Sequence, residues 1–176
     1  MKKRFYLAFA VAALLGTAQH FLYDLFPNPL TAIFAPVNES VWEHLKLLFY
    51  PTLLAGLFLS WHAPLRQRVW GAILLAALAQ PLFLLALYYP LRAGFGVESV
   101  AVDILLYYAA MAFGGVLAER LCRSGISHRL AGIATMLAGL YAVCLLLFTF
   151  AAPNLPIFLE NPGEIQEKAL DFFMAA

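Results

Sequence analysis

Two histidines and several carboxylates sit where an otherwise apolar chain has little reason to keep them. His20 and Asp24 fall one helical turn apart, with Gln19 and Tyr23 beside them. The run Asn38-Glu39-Ser40-Val41-Trp42-Glu43-His44-Leu45-Lys46 adds two carboxylates, an imidazole and an ammonium. Asp103 follows further along, with Ser99 and Tyr107 on its helical face. Imidazole together with carboxylate suits zinc or a similar divalent ion. His20, His44 and Asp103 are the expected metal ligands. A metal held this way lowers the pKa of its bound water to about 7 and makes a nucleophile at neutral pH. Glu39 or Glu43 is then the expected general base. Asp24, Asn38, Ser40, Lys46 and Tyr107 are expected to support the site.

Each of these residues also has a plainer role open to it. Ser40-Val41-Trp42-Glu43 has the spacing of a capping box, which would make Glu43 a helix cap. His20 and Asp24 can pair only to hold one helix against another. Asp103 can neutralise His20 or Lys46 for the same purpose, and Glu39 can be a solvated loop residue. Trp42, Tyr88 and Tyr89 suit an interfacial aromatic belt.

The elements that must position these groups follow from composition. The chain has 176 residues, 64% hydrophobic and 12% charged, with mean hydropathy +0.82. Soluble domains are about half apolar and about a quarter charged, so lipid is the solvent that accounts for this balance. A net charge of +1 gives no electrostatic reason to expect nucleic acid. An all-α, polytopic membrane protein is expected, with lipid bilayer as its environment and an oligomer open to it. Five stretches approach the ~20 apolar residues that a spanning helix needs: Phe5–Phe26, Val41–Trp61, Val69–Tyr89, Val97–Glu119 and Arg129–Ala151. Proline or glycine punctuates each boundary. Pro51 and Pro81 fall inside two of the helices and are expected to kink them.

Basic residues set the orientation. With the N-terminus inside, Lys2, Lys3, Arg4, Arg66, Arg68, Arg120, Arg123 and Arg129 share one side, and Lys46, Arg92 and Lys168 the other. By the positive-inside rule the C-terminus is outside, in what is expected to be a bacterial cytoplasmic membrane. His62 and His128 then lie at cytoplasmic helix ends. The basic start followed by an apolar run resembles a signal peptide, but the run continues through Phe26, so a retained first helix is expected. Small residues at four-residue spacing (Ala8/Ala12/Gly16, Ala110/Gly114/Ala118, Thr135/Gly139) mark candidate packing stripes. Cys122 and Cys144 are placed roughly 20 Å apart in depth, taking ~1.5 Å per residue, too far for a disulfide. Residues 1–152 are read as the transmembrane domain and 153–176 as an outer tail, where Glu164–Met174 suits a short amphipathic helix.

The run from Pro36 to Lys46 resembles the hallmark of an uncharacterised bacterial family of small multi-helix membrane proteins, a domain of unknown function. Gln19-His20-Phe21-Leu22-Tyr23 and Phe148-Thr149-Phe150, with Pro153 and Pro156 after it, match as well. The resemblance implies a polytopic membrane protein and brings no activity with it. The stretch after Pro162 departs from the pattern. Alkaline ceramidases, seven-helix membrane metal hydrolases, likewise gather histidines and an aspartate near one membrane face. This chain lacks their helix number and any His-x-x-x-His, so that likeness is chemical only. Three functions remain open on the residues alone: a metal-dependent hydrolase or transferase acting on an amphiphile, a small-ion or proton carrier, and a structural or assembly factor.

Overall fold

In a computed structural model, described over residues 2–61 and 63–159, the chain is all α among the described residues. The elements are α1 (Lys2–His20), α2 (Leu22–Leu25), α3 (Pro29–Phe34), α4 (Val41–His44), α5 (Lys46–Ser60), α6 (Arg66–Tyr89), α7 (Val100–Ser124) and α8 (Ile126–Phe150). A π turn at Pro90–Gly94 extends α6, and a single 3-10 turn, Pro156–Phe158, follows α8. The amphipathic helix expected at Glu164–Met174, and His62, lie outside the described residues.

Among the described residues, three helices are long and apolar enough to cross a membrane: Arg66–Gly94, Val100–Ser124 and Ile126–Phe150, at mean hydropathies of 2.0, 1.9 and 2.2. Five such helices were expected, and the first two segments depart from that for local reasons. The first helix stops at His20 instead of Phe26, because Phe21 turns back to Ala18 O in a tighter bond. Its 19 residues also carry Lys2, Lys3 and Arg4 at one end and Gln19 and His20 at the other. The second segment is divided at Leu45, which leaves α5 only 15 residues long. The loop between them is more ordered than its prolines imply. Pro29 occupies the first turn of α3, and the Asn28 side chain accepts from Leu30 N and Thr31 N while Thr31 returns the bond, a full capping box.

Packing runs through α6, which lies against α5, α7 and α8, while α1 packs on α5 and α7. Small residues permit the close approaches. A Cβ on Gly16 would collide with the Tyr107 hydroxyl and come within 2.9 Å of Leu47 O and 3.2 Å of Pro51, so glycine lets α1 seat against α5 and α7. The carbonyl of Leu47 has no proline N–H to accept from at Pro51, and the helix remains continuous across it. Gly114 makes the same allowance for Gln80. Gln80, fully buried, accepts from Thr52 Oγ1 at 2.8 Å and donates to Ala110 O at 3.3 Å, joining α5, α6 and α7 at mid-height. On α8 the packing face differs from the expected stripe. Ala134 and Ala138 are buried, whereas Thr135 and Gly139 face outward. Gly125, at φ 76°, makes the sharp link from α7 to α8.

The outer surface of the bundle is apolar. Leu14, Phe58, Leu82, Leu105, Met136 and Leu140 each expose more than half of their area, an arrangement that suits lipid and would associate in water. Both cysteines are free.

Because Gly16 sits at a three-helix contact, Gly16→Val should overpack it and lower stability by about 1–3 kcal/mol. Gly139→Val, in open space, should change stability little. Denaturant titration of both variants in detergent checks the contrast.

Candidate metal centre

The last turn of α1, the loop before α4 and α4 itself bring three ligand atoms together. His20 Nε2 lies 3.1 Å from His44 Nε2, and Glu39 Oε2 lies 3.7 Å from His20 Nε2 and 3.3 Å from His44 Nε2. Donors about 2.0–2.2 Å from a tetrahedral zinc are separated by about 3.3 Å. The observed triangle therefore has the size that one such ion needs. Its members are partly open to solvent, with side-chain exposures of 28% for His20, 30% for His44 and 68% for Glu39.

One tautomer is fixed by the backbone. His44 Nδ1 is 2.8 Å from Ser40 O, and since a carbonyl only accepts, Nδ1 carries the proton. The lone pair of a neutral His44 ring is then on Nε2, aimed at His20 and Glu39. Orientation of a ligand histidine through its other nitrogen is a recurring feature of metal sites. His20 Nδ1 is buried without a partner, so nothing comparable fixes that ring. With both rings neutral, His44 can only accept at Nε2, so the 3.1 Å contact calls for the proton on His20 Nε2.

Sequence reasoning named His20 and His44 as ligands, and these two meet. Glu39 was expected as a base, and its carboxylate lies beside both imidazoles. Asp103 stands apart from this group: its carboxylate is 43% exposed and its recorded partner is Arg92 Nη1 at 3.9 Å, beside Tyr88. Asp24 is exposed and the helix breaks between it and His20, so the two do not share a regular helical face. Tyr107 donates to Ala13 O at 2.8 Å and ties α7 to α1.

Glu43 and Lys46 form a separate, buried network beneath the triangle. Lys46 Nζ donates to Glu43 Oε2 at 2.6 Å, to Ala32 O at 2.8 Å and to Ala35 O at 3.2 Å. All three ammonium protons are used, and the last carbonyls of α3 carry the partial negative charge that a cation favours. Glu43 also accepts from Val37 N and from Thr149 on α8. Only half of the expected capping box forms. Ser40 Oγ accepts from Glu43 N, but Ser40 N donates to Asn38 Oδ1 instead of to Glu43. Gln19 Nε2 reaches Phe34 O and fastens the end of α1 to the same loop. Trp42, expected in an interfacial belt, packs on Phe148 and Phe158 with centroids 5.4 and 5.0 Å away. The bond from Thr149 to Glu43 and the role of the α3 carbonyls could not be read from the sequence, where Thr149 stood out only within the Phe148-Thr149-Phe150 match.

Fold and site together define an apolar helical bundle with a two-histidine, one-carboxylate cluster at one end. The chain belongs to the family of unknown function DUF6512, whose model matches residues 1–164. No curated protein and no solved structure matches it.

Lys46→Met leaves the Glu43 carboxylate buried and unpaired, which should cost about 3–5 kcal/mol. Glu43→Leu combined with Lys46→Met should recover part of that loss. Thermal unfolding in detergent of both variants decides it, and a double variant less stable than the single one would speak against the pairing.

Proposed function

We propose that this chain is an integral membrane protein that holds a zinc-like divalent cation through His20, Glu39 and His44 and uses it on an amphiphile. The observation that carries the proposal is the triangle of ligand atoms, all within 4.8 Å of one another, with the His44 tautomer set by Ser40 O. Three protein ligands leave a tetrahedral ion one position for water. That arrangement is associated with catalysis, whereas structural zinc sites are usually closed by four side chains.

In this proposal the chain crosses the membrane five times. What supports it is that Phe5–Gln19, Leu47–Ser60, Val69–Leu91, Ile104–Ala118 and Leu130–Phe150 contain no Asp, Glu, Lys, Arg or His. α1 is about 28 Å long at 1.5 Å per residue, close to the hydrocarbon thickness of about 30 Å. The shorter α5 reaches further through α4. Lys2, Lys3, Arg4, Arg66, Arg68, Arg120, Arg123 and Arg129 gather at one end, which the positive-inside rule assigns to the cytoplasm. The metal site and the C-terminus are then on the outer side of a bacterial cytoplasmic membrane.

The same charge-free stretches weigh against a proton or ion carrier, since no titratable relay of acidic or basic groups leads inward from the site. An ion held by His20, Glu39 and His44 would supply an activated water for hydrolysis of an ester or amide bond in a lipid-like substrate, the water's proton ending on the leaving group. Glu39 Oε1, free of the contacts that Oε2 makes, is the acceptor available for that proton. Phe21, Leu25, Phe26 and Leu30, all more than half exposed on the loop beside His20, give the site an apolar rim for the substrate's chain.

Elemental analysis of the purified, metal-supplemented protein should find one equivalent of zinc. His20→Ala, His44→Ala and Glu39→Ala should each lower metal affinity at least tenfold, a typical scale for disturbing a metal site, and Asp103→Asn should leave it unchanged. Wild-type protein that takes up no zinc, or a triple variant that keeps it, would overturn the proposal.

A further inference from the structure

The opposite, arginine-rich end of the bundle carries a groove that the metal reading does not use. Its floor is one face of α5: Leu54, Leu57, Phe58 and Trp61 recur at helical spacing and expose 50%, 50%, 65% and 65% of their area. α1 packs on α5 and forms the groove's wall. The groove has a volume of about 710 Å³, with Leu7 and Arg4 on the α1 side. A second hollow of about 320 Å³ shares Leu57 and Trp61 with it and is bounded by Arg66 and Trp70 at the start of α6.

Its chemistry is divided along its length. Toward the middle of the bundle the lining is aliphatic and aromatic. At the end Arg4 lines the groove and Arg66 the adjoining hollow, with Trp61 common to both; both guanidinium groups are exposed, and the Arg66 contact to Trp61 O is a long one at 3.4 Å. No carboxylate competes for them: Glu119, the one described acidic residue at this end, is paired with Arg123 at 3.3 Å. A guanidinium binds phosphate through two parallel hydrogen bonds, and an apolar channel running inward from such a pair fits an acyl chain. Basic pockets at helix ends on this side are recognised sites for anionic head groups.

From this charge complementarity we infer that the groove is a binding site for one anionic phospholipid. Its phosphate lies between Arg4 and Arg66, and one acyl chain runs over Leu57, Phe58 and Leu54. The site depends on the chain lying in a membrane and is independent of the metal centre.

Native mass spectrometry of the delipidated full-length chain tests this with dioleoyl phosphatidylglycerol against dioleoyl phosphatidylcholine. One phosphatidylglycerol should be retained per chain with roughly 30-fold preference, the scale set by two arginines near a lipid surface. R4Q/R66Q should abolish the preference while R4K/R66K keeps most of it, and zinc content should be the same in all three proteins. Equal retention of the two lipids, or an unchanged preference in R4Q/R66Q, would overturn the inference. So would competition by glycerol 3-phosphate as strong as that of the lipid, which would mean an anion site with no chain in it.

Discussion

An ammonium group removed from water has to find an acceptor for every proton, and the end of this molecule that carries the histidine–carboxylate cluster is built on how Lys46 does so. It is the largest of the fully buried side chains. Its three donors go to the Glu43 carboxylate and to two carbonyls at the end of α3. Those carbonyls exist in the right place only because Asn28 and Thr31 cap a six-residue helix that begins at Pro29. The cation thereby holds the loop between α3 and α4 down on the bundle. Removing either charge exposes the other to a low-dielectric interior, which makes the pair a constraint on geometry more than a source of stability.

The candidate metal site inherits its shape from that constraint. Glu39 and Ser40 lie between the clamped α3 and the first turn of α4, so fixing the loop fixes both the Glu39 carboxylate and the Ser40 carbonyl that orients His44. His20 arrives from the other direction, at the end of α1, whose seating depends on Gly16 against Pro51 and Tyr107. Two independent packing decisions thus converge on a triangle about 3.1–3.7 Å on a side. Thr149 extends the control to α8. The residues that carry the family resemblance, from Gln19 through the Asn38–Lys46 run to Thr149, meet in this one region.

The two ends of the bundle are chemically opposed. One concentrates carboxylates and imidazoles around a loop whose outer face is apolar. The other concentrates guanidiniums around an apolar groove. Between them five charge-free stretches run side by side, with only neutral polar contacts such as Thr52–Gln80 at mid-height. Separation of this kind keeps charged groups away from the middle of the bundle, where their desolvation would be largest.

How much of this was legible depends on the range of the interaction involved. Composition and the spacing of apolar runs determined the all-α, membrane-suited character and the approximate places of the long helices, because burial in lipid acts on each segment by itself. Residue type alone also drew attention to His20, His44, Glu39 and Glu43. Local pattern could not separate them further. Whether a carboxylate becomes a ligand, as Glu39 is placed to be, or half of a buried ion pair, as Glu43 is, depends on which distant groups approach it. Asp103 had the right type and depth, yet Arg92 lies nearer to it than the histidines do. The ends of α1 and α5 and the capped α3 were misjudged because a hydropathy pattern does not register backbone bonds such as Phe21 to Ala18. Side-chain chemistry was written in the sequence; its distant partners, His20 for His44 at 24 positions and Thr149 for Glu43 at 106, were chosen by the tertiary structure, since only packing brings such groups within bonding distance.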